Sequence, residues 1–180
     1  MKQENITGQV VIETERFHLR PVRKSDLGVI EMFAGDKRVA MMTSNIPHPL
    51  PPGAITAFLD RVTAPDRVEN VWAIDGSAEG ERELLGLISL KHVMDYQSEV
   101  GYWVAPQFWN TGLASEALNA LVKANPLDSQ SMVASVFQDN PASAKVVTNA
   151  GFALIGESET YSVARNASVD TWDYVQRLAQ

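Results

Sequence analysis

No cysteine occurs among the 180 residues, so disulfides, thiolate metal sites and any cysteine-linked covalent intermediate are excluded. Positive charge is also short. Fifteen Lys and Arg against twenty-two Asp and Glu leave a net charge of −7, which argues against a nucleic-acid partner, because phosphate neutralisation needs clustered cations; a cationic substrate fits better. The three histidines, His18, His48 and His92, lie far apart with no metal-ligand spacing, so no metal is expected. The most apolar run, residues 84–90, is far too short to span a bilayer, and the polar first nine residues lack the apolar centre of a secretory signal. A cytoplasmic location, away from any membrane, is therefore expected. Repeats, low-complexity runs and domain linkers are lacking too.

What is present suits one domain covering residues 1–180. Hydrophobic residues make up 45% and charged residues 21%, ordinary for a globular chain able to bury roughly 70% of its unfolded surface. Residues 10–22 alternate like a strand, with Phe17 and Leu19 on one face and His18 and Arg20 on the other. Ser25 can cap a helix running to about Ala34, with Leu27, Ile30, Met32 and Phe33 on its buried side, and a short helix over 36–42 follows. Four prolines keep residues 45–53 out of regular structure, after which a helix runs to Thr63. Residues 68–74, 83–93 and 97–104 read as an antiparallel meander. A helix from Leu113 to Asn125, a strand over 132–137, a helix opened by Asn140-Pro141 and closed at Gly151, and strands over 152–155 and 171–178 complete the chain. The pattern predicts a mixed α/β fold: a mostly antiparallel sheet of six or seven strands flanked by helices.

The stretch Trp109-Asn110-Thr111-Gly112-Leu113-Ala114-Ser115 links a strand to an apolar helix. Such a junction presents several unpaired backbone N–H groups, and the helix dipole adds roughly half a positive charge there, so a pyrophosphate can be held without a lysine. Gly112 allows close backbone approach, and Asn110 tolerates a left-handed conformation. A glycine before a helix is, equally, an ordinary turn.

The order Leu19-Arg20-Pro21, Leu85-Gly86-Leu87-Ile88, Glu99-Val100-Gly101-Tyr102-Trp103-Val104, the 109–117 loop, Asn140-Pro141-Ala142-Ser143 and Ala150-Gly151-Phe152 resembles the GNAT N-acetyltransferase superfamily. The likeness is greatest to the branch containing the ribosomal-protein N-terminal acetyltransferases, and it extends from about Thr14 to Leu178. The resemblance implies acetyl-CoA as co-substrate, its diphosphate on the amides of the 109–115 loop and its pantetheine arm along the free edge of Tyr102, Trp103 and Val104, where two strands splay apart. It implies that Asn140 hydrogen-bonds that arm and that Ser143 lies near the sulfur. Two departures stand out: Asn110 and Thr111 replace the usual Gly and Lys or Arg, and the crossover helix is about two residues shorter than typical.

Acetyl transfer to an amine needs a proton acceptor, donors for the developing oxyanion and a proton for the departing thiolate. Glu99 is the candidate base, or else a solvated strand carboxylate. Backbone N–H groups of residues 102–104 are candidate oxyanion donors. Ser143 either donates to the thiolate or holds the sulfur, or is a first-turn serine satisfying backbone groups; Tyr102 and Tyr161 are the alternative acids. Lys145 can approach a coenzyme phosphate or stand exposed on its helix, and Trp109 can wall the coenzyme channel. The proline loop is a place for acceptor contacts. The expected activity is direct acetyl transfer to a protein N-terminal α-amine or a small amine metabolite, by a monomer or homodimer. A non-catalytic coenzyme-binding or sensing module is the alternative, to which Thr111 lends weight.

Overall fold

Alternation of branched and aromatic residues builds an eight-stranded sheet in the computed structural model, which describes residues 8–80 and 83–179. Apart from Gly8 and Gln9, the polar N-terminal segment lies outside the described residues. In chain order the elements are β1 (Ile12–Glu13), β2 (His18–Pro21), α1 (Leu27–Ala34), α2 (Lys37–Ala40), α3 (Ala54–Val62), β3 (Glu69–Asp75), β4 (Gly86–Met94), β5 (Gln97–Val104), α4 (Leu113–Ala124), β6 (Ser131–Phe137), α5 (Pro141–Asn149), β7 (Ala153–Ser162) and β8 (Ala167–Arg177). The sheet order is β1-β2-β3-β4-β5-β6-β8-β7, and every neighbouring pair is antiparallel except β5–β6.

Eight strands form where six or seven were expected, for one local reason, and the last hairpin runs longer than its pattern suggests. Residues 10–22 read as one strand but fold as two: the Thr14 N–H and hydroxyl both donate to the Phe17 carbonyl, at 2.9 and 2.7 Å, and this turn brings Ile12 opposite Leu19. The pattern also foresees only the ends of the β7–β8 hairpin. Most of β7 is exposed on both faces, so it carries no apolar alternation to read. Helix α1 differs as well. Met32 is 56% exposed while Ile30 and Phe33 are buried, and no side-chain cap forms at its start, because the carboxylate of Asp26 turns instead to Arg20.

Two apolar cores lie on opposite faces of the sheet. One gathers Leu19, Trp72, Ile88, Leu90, Val100, Leu118, Leu121 and Val147 beneath α4 and α5; the other gathers Ile30, Phe33, Leu59, Val62, Ala73 and Leu87 beneath α1 and α3. Full burial of each Leu, Ile or Phe contributes about 1.5–3 kcal/mol, so the two layers clamp the sheet between them. Gly86 is required at the head of β4, since a Cβ there would run into the Trp103 carbonyl of β5.

Tertiary pairing creates the opening that organises the site. β5 pairs with β6 only through Gln97↔Ser131, Ser98↔Met132 and Glu99↔Val133. Beyond Glu99, β5 stays with β4 as far as Val104, while β6 follows β8 as far as Phe137. The two central strands therefore part company.

Candidate active site

Phe108, Trp109 and the start of α4 build the loop beyond β5. The Leu113 side chain is buried in the core and anchors α4, while Asn110 (φ 60°) and Gly112 (φ 79°) turn the backbone through the left-handed region. A Cβ at Gly112 would meet nothing closer than the Arg16 guanidinium at 3.5 Å, so φ rather than space selects glycine. Among the described residues, no amide from 110 to 115 donates to a protein acceptor; the first bonded one is Glu116 N–H, to the Gly112 carbonyl. A run of free donors at the start of a twelve-residue helix fits a diphosphate. Trp109 is half-exposed and does not line the main cavity. Its indole N–H donates to the Val104 carbonyl at 2.7 Å, pinning the loop to the end of β5. The Thr111 hydroxyl turns back onto the Phe108 carbonyl.

Where β5 leaves β6, residue alternation sends neighbouring side chains to opposite sides of the sheet. Glu99, Gly101 and Trp103 face the α1–α3 layer; Tyr102 faces α5. The Tyr102 hydroxyl lies 2.7 Å from Ser143 Oγ and also donates to the Ser143 carbonyl at 3.4 Å. Burial pushes the Tyr102 phenol up to about 12, only partly offset by its bond to Ser143, so it stays protonated. Asn140 caps α5 by accepting the Ser143 N–H on its side-chain oxygen at 3.2 Å, which leaves its amide NH₂ as a donor.

The backbone of β5 also has two sides. Ala105 N–H donates to the Leu85 carbonyl at 2.8 Å, so alternation turns the Trp103 amide toward β4 and the Tyr102 and Val104 amides toward the side vacated by β6. Of the three residues that the sequence marks as a free edge, Tyr102 and Val104 present that edge, and Trp103 instead packs its ring against Phe33 at 6.4 Å.

A cavity of about 850 Å³ runs through the opening, lined by Glu99, Tyr102, Asn140 and Ser143, with Ile46, Leu50 and Phe58 from the proline loop and α3. The structure thus assembles Glu99, Tyr102, Asn140 and Ser143 around one space. Lys145 stands exposed on α5, away from this lining. Tyr161 also lies apart, exposed on β7 with its hydroxyl on the Asn166 side chain.

Two arginines enter that no sequence spacing indicates. Arg16 donates through Nε to Glu116 at 2.6 Å and through Nη1 to the Thr111 carbonyl at 2.8 Å. Arg165, in the β7–β8 turn, reaches the Met41 carbonyl at 2.9 and 2.7 Å and pairs with Asp139, whose carboxyl it holds below the usual range. Its partners are 124 and 26 residues away, so only a folded chain reveals them. Among the described residues, no group of three or more His, Asp or Glu is placed to hold a metal, and no helix is long and apolar enough to cross a membrane.

Comparison with known proteins agrees with this geometry. Over 104 residues the chain is 29% identical to an uncharacterized N-acetyltransferase, YoaA, of Bacillus subtilis (strain 168), a match covering 56% of this chain and 58% of that protein. The chain thus matches a little over half the length of this curated relative. Its fold resembles that of RimL, a ribosomal L7/L12 alpha-N-protein acetyltransferase solved with coenzyme A, at 19% identity and a TM-score of 0.80, covering 94% of this chain and 98% of that one. It also resembles the spermidine N-acetyltransferase of Vibrio cholerae solved with CoA and spermine, at 16% identity and a TM-score of 0.76, covering 91% and 96% of the two chains. The acetyltransferase (GNAT) domain signature matches residues 16–153, and with the splayed β5–β6 pair and its unpaired amide loop the chain belongs to the GNAT acetyltransferase family.

Proposed function

We propose that the protein is an acetyl-CoA-dependent N-acetyltransferase that transfers acetyl directly to an amine, with the 110–115 amides holding the diphosphate and the Tyr102 and Val104 edge receiving the pantetheine arm. The single observation carrying this reading is the end of β5–β6 pairing at Glu99, which joins a cavity on one face of the sheet to the Tyr102–Ser143 pair on the other. Acetyl-CoA, when bound, supplies a thioester carbonyl. Glu99 accepts the amine proton directly or through water as the C–N bond forms. The Tyr102 and Val104 amides face the developing oxyanion, and as the C–S bond breaks the thiolate leaves against the hydroxyls of Tyr102 and Ser143.

The charges lining the cavity favour an acceptor with one amine. Arg61 pairs with Glu69 at 2.8 Å, and the strand register places Lys91 between Glu69 and Glu99. Two cations thus balance two carboxylates, which leaves little to attract a second ammonium group. Ile46, Leu50 and Phe58 suit an apolar side chain beside the amine. A protein N-terminus fits this better than a polyamine. Deprotonating an α-amine near pKa 8 at neutral pH costs about 1 kcal/mol, against roughly 4–5 for a lysine amine.

The deciding experiment follows free-thiol release from acetyl-CoA over a panel of peptides, small amines and polyamines. Turnover with peptides of apolar N-terminus is the expected result. Coenzyme binding without turnover on any acceptor favours the sensing module, and absence of any thermal shift with coenzyme A sinks both.

A further inference from the structure

We infer that Arg16 is the cation that meets the coenzyme diphosphate, delivered from the β1–β2 turn to a loop that has none of its own; this rests on reading the 110–115 amides as the diphosphate site. The stretch 109–117 contains no Lys or Arg, and the first turn of α4 carries a carboxylate, Glu116, which by itself repels an anion at the helix start. Arg16 answers both deficits. Its Nε donates to Glu116 Oε2 at 2.6 Å and its backbone N–H to Oε1 at 3.2 Å, so both carboxylate oxygens are engaged. Burial works against that charge, yet the bonds from Arg16 hold the Glu116 carboxyl below its ordinary range. Nη1 takes the Thr111 carbonyl at 2.8 Å, fixing the loop whose amides stay free.

Among the described residues Nη2 donates to no protein acceptor, and it lies 3.5 Å from where a Cβ of Gly112 would stand. The remaining donor of the fork is therefore beside the run of unpaired amides. A guanidinium serves a carboxylate, a carbonyl and a phosphate oxygen from separate nitrogens of one rigid fork, whereas an ammonium offers its three donors from a single atom without that span. With its side chain about half exposed, Arg16 is open to an incoming ligand.

Titration calorimetry on the full chain tests this, comparing coenzyme A with acetyl-pantetheine, which has the thioester arm but no diphosphate. Arg16→Gln is expected to weaken coenzyme A by about tenfold or more and acetyl-pantetheine by less than about twofold, and to flatten the salt dependence of coenzyme binding. Adding Thr111→Lys to Arg16→Gln puts a cation back on the loop and should recover most of the loss. Glu116→Gln, which frees the guanidinium from its carboxylate, should tighten coenzyme A; it also serves as the reporter if Arg16→Gln does not fold. Equal weakening of both ligands by Arg16→Gln, no weakening of either, no recovery with Thr111→Lys, or weaker coenzyme binding by Glu116→Gln overturns the inference. A wild-type chain that binds coenzyme A while Arg16→Gln is indifferent removes Arg16 alone; a wild-type chain that gives no heat with coenzyme A removes the parent reading as well.

Discussion

A phenol held at about pKa 12 is a hydrogen-bond donor before it is an acid. Handing its proton to a thiolate of pKa near 8.5 is uphill by about 5 kcal/mol, so in the proposed mechanism Tyr102 and Ser143 act together by solvating the leaving sulfur. Tyr102→Phe and Ser143→Ala should each lower kcat by roughly ten- to a hundredfold, the worth of a hydrogen bond to a charged group. Because the two hydroxyls share one network, the double variant should cost little more than either single one. Stopped-flow thiol release measures this, and full additivity would contradict it. Glu99 sets a different pH signature. Glu99→Gln should lower kcat/KM at neutral pH by about a hundredfold, within the range of general-base catalysis, and the deficit should shrink as pH rises past the amine pKa, where the acceptor is already neutral. A deficit that is constant with pH would assign Glu99 to acceptor binding. Glu99 and Ser143 are legible in the sequence because each sits inside a short motif. Arg16 is not, since its partners lie 95 and 100 residues away.

At the scale of elements, the mouth of the cavity is made by segments that do not neighbour one another in the chain. The β7–β8 turn crosses to the 41–44 segment through Val163 N–H on the Ser44 carbonyl at 3.0 Å and through Arg165 on the Met41 carbonyl, while the same guanidinium lies 4.9 Å over Phe137 at the end of β6. Met42 to Pro47 line the cavity on the side proposed for the acceptor. Arg165→Ala should therefore raise the acceptor KM several-fold while leaving coenzyme affinity within about twofold, because the unlatched loop precedes the proline stretch and the 110–115 amides are untouched. Calorimetry with coenzyme A beside steady-state kinetics separates the two; an equal loss in both would mean that Arg165 maintains the whole sheet. The motifs reveal α4, β5 and α5 because loop, cap and periodicity coincide there. Only the start of β7 is read, over 152–155, because the exposed remainder of an edge strand needs no apolar alternation.

On the scale of the whole molecule, one buried ionic cluster ties β2 to the turn that precedes α1 and to the end of β3. Arg20, 7% exposed, donates to Asp26 at 2.9 and 2.8 Å and to Asp75 at 2.7 Å. Burial opposes the charge on Asp75, but bonds from Ser77 and Arg20 outweigh it and hold its carboxyl below the usual range. A depressed carboxyl contributes stability that is present above its unfolded pKa, near 4, and is lost as pH falls through the folded value. Asp75→Asn should thus cost about 1.5–3 kcal/mol near neutrality, the worth of a charged hydrogen bond, since Arg20 keeps Asp26, and the gap from wild type should begin to close as pH falls below about 4. Thermal melts across pH 2–7 check the sign, and a gap that widens in acid would refute it. The sequence by itself determined the α/β class, the meander, the amide loop before α4 and the Asn140 cap, all set by backbone propensity and spacing within a dozen residues. Tertiary structure alone decided where β5 leaves β6, which amides face the opening, that Glu99 and Tyr102 stand on opposite faces of one cavity, and that Arg16 reaches the loop. These depend on long-range pairing, whose energy comes from burying two separate apolar layers, and no local pattern encodes the distance between residues a hundred positions apart.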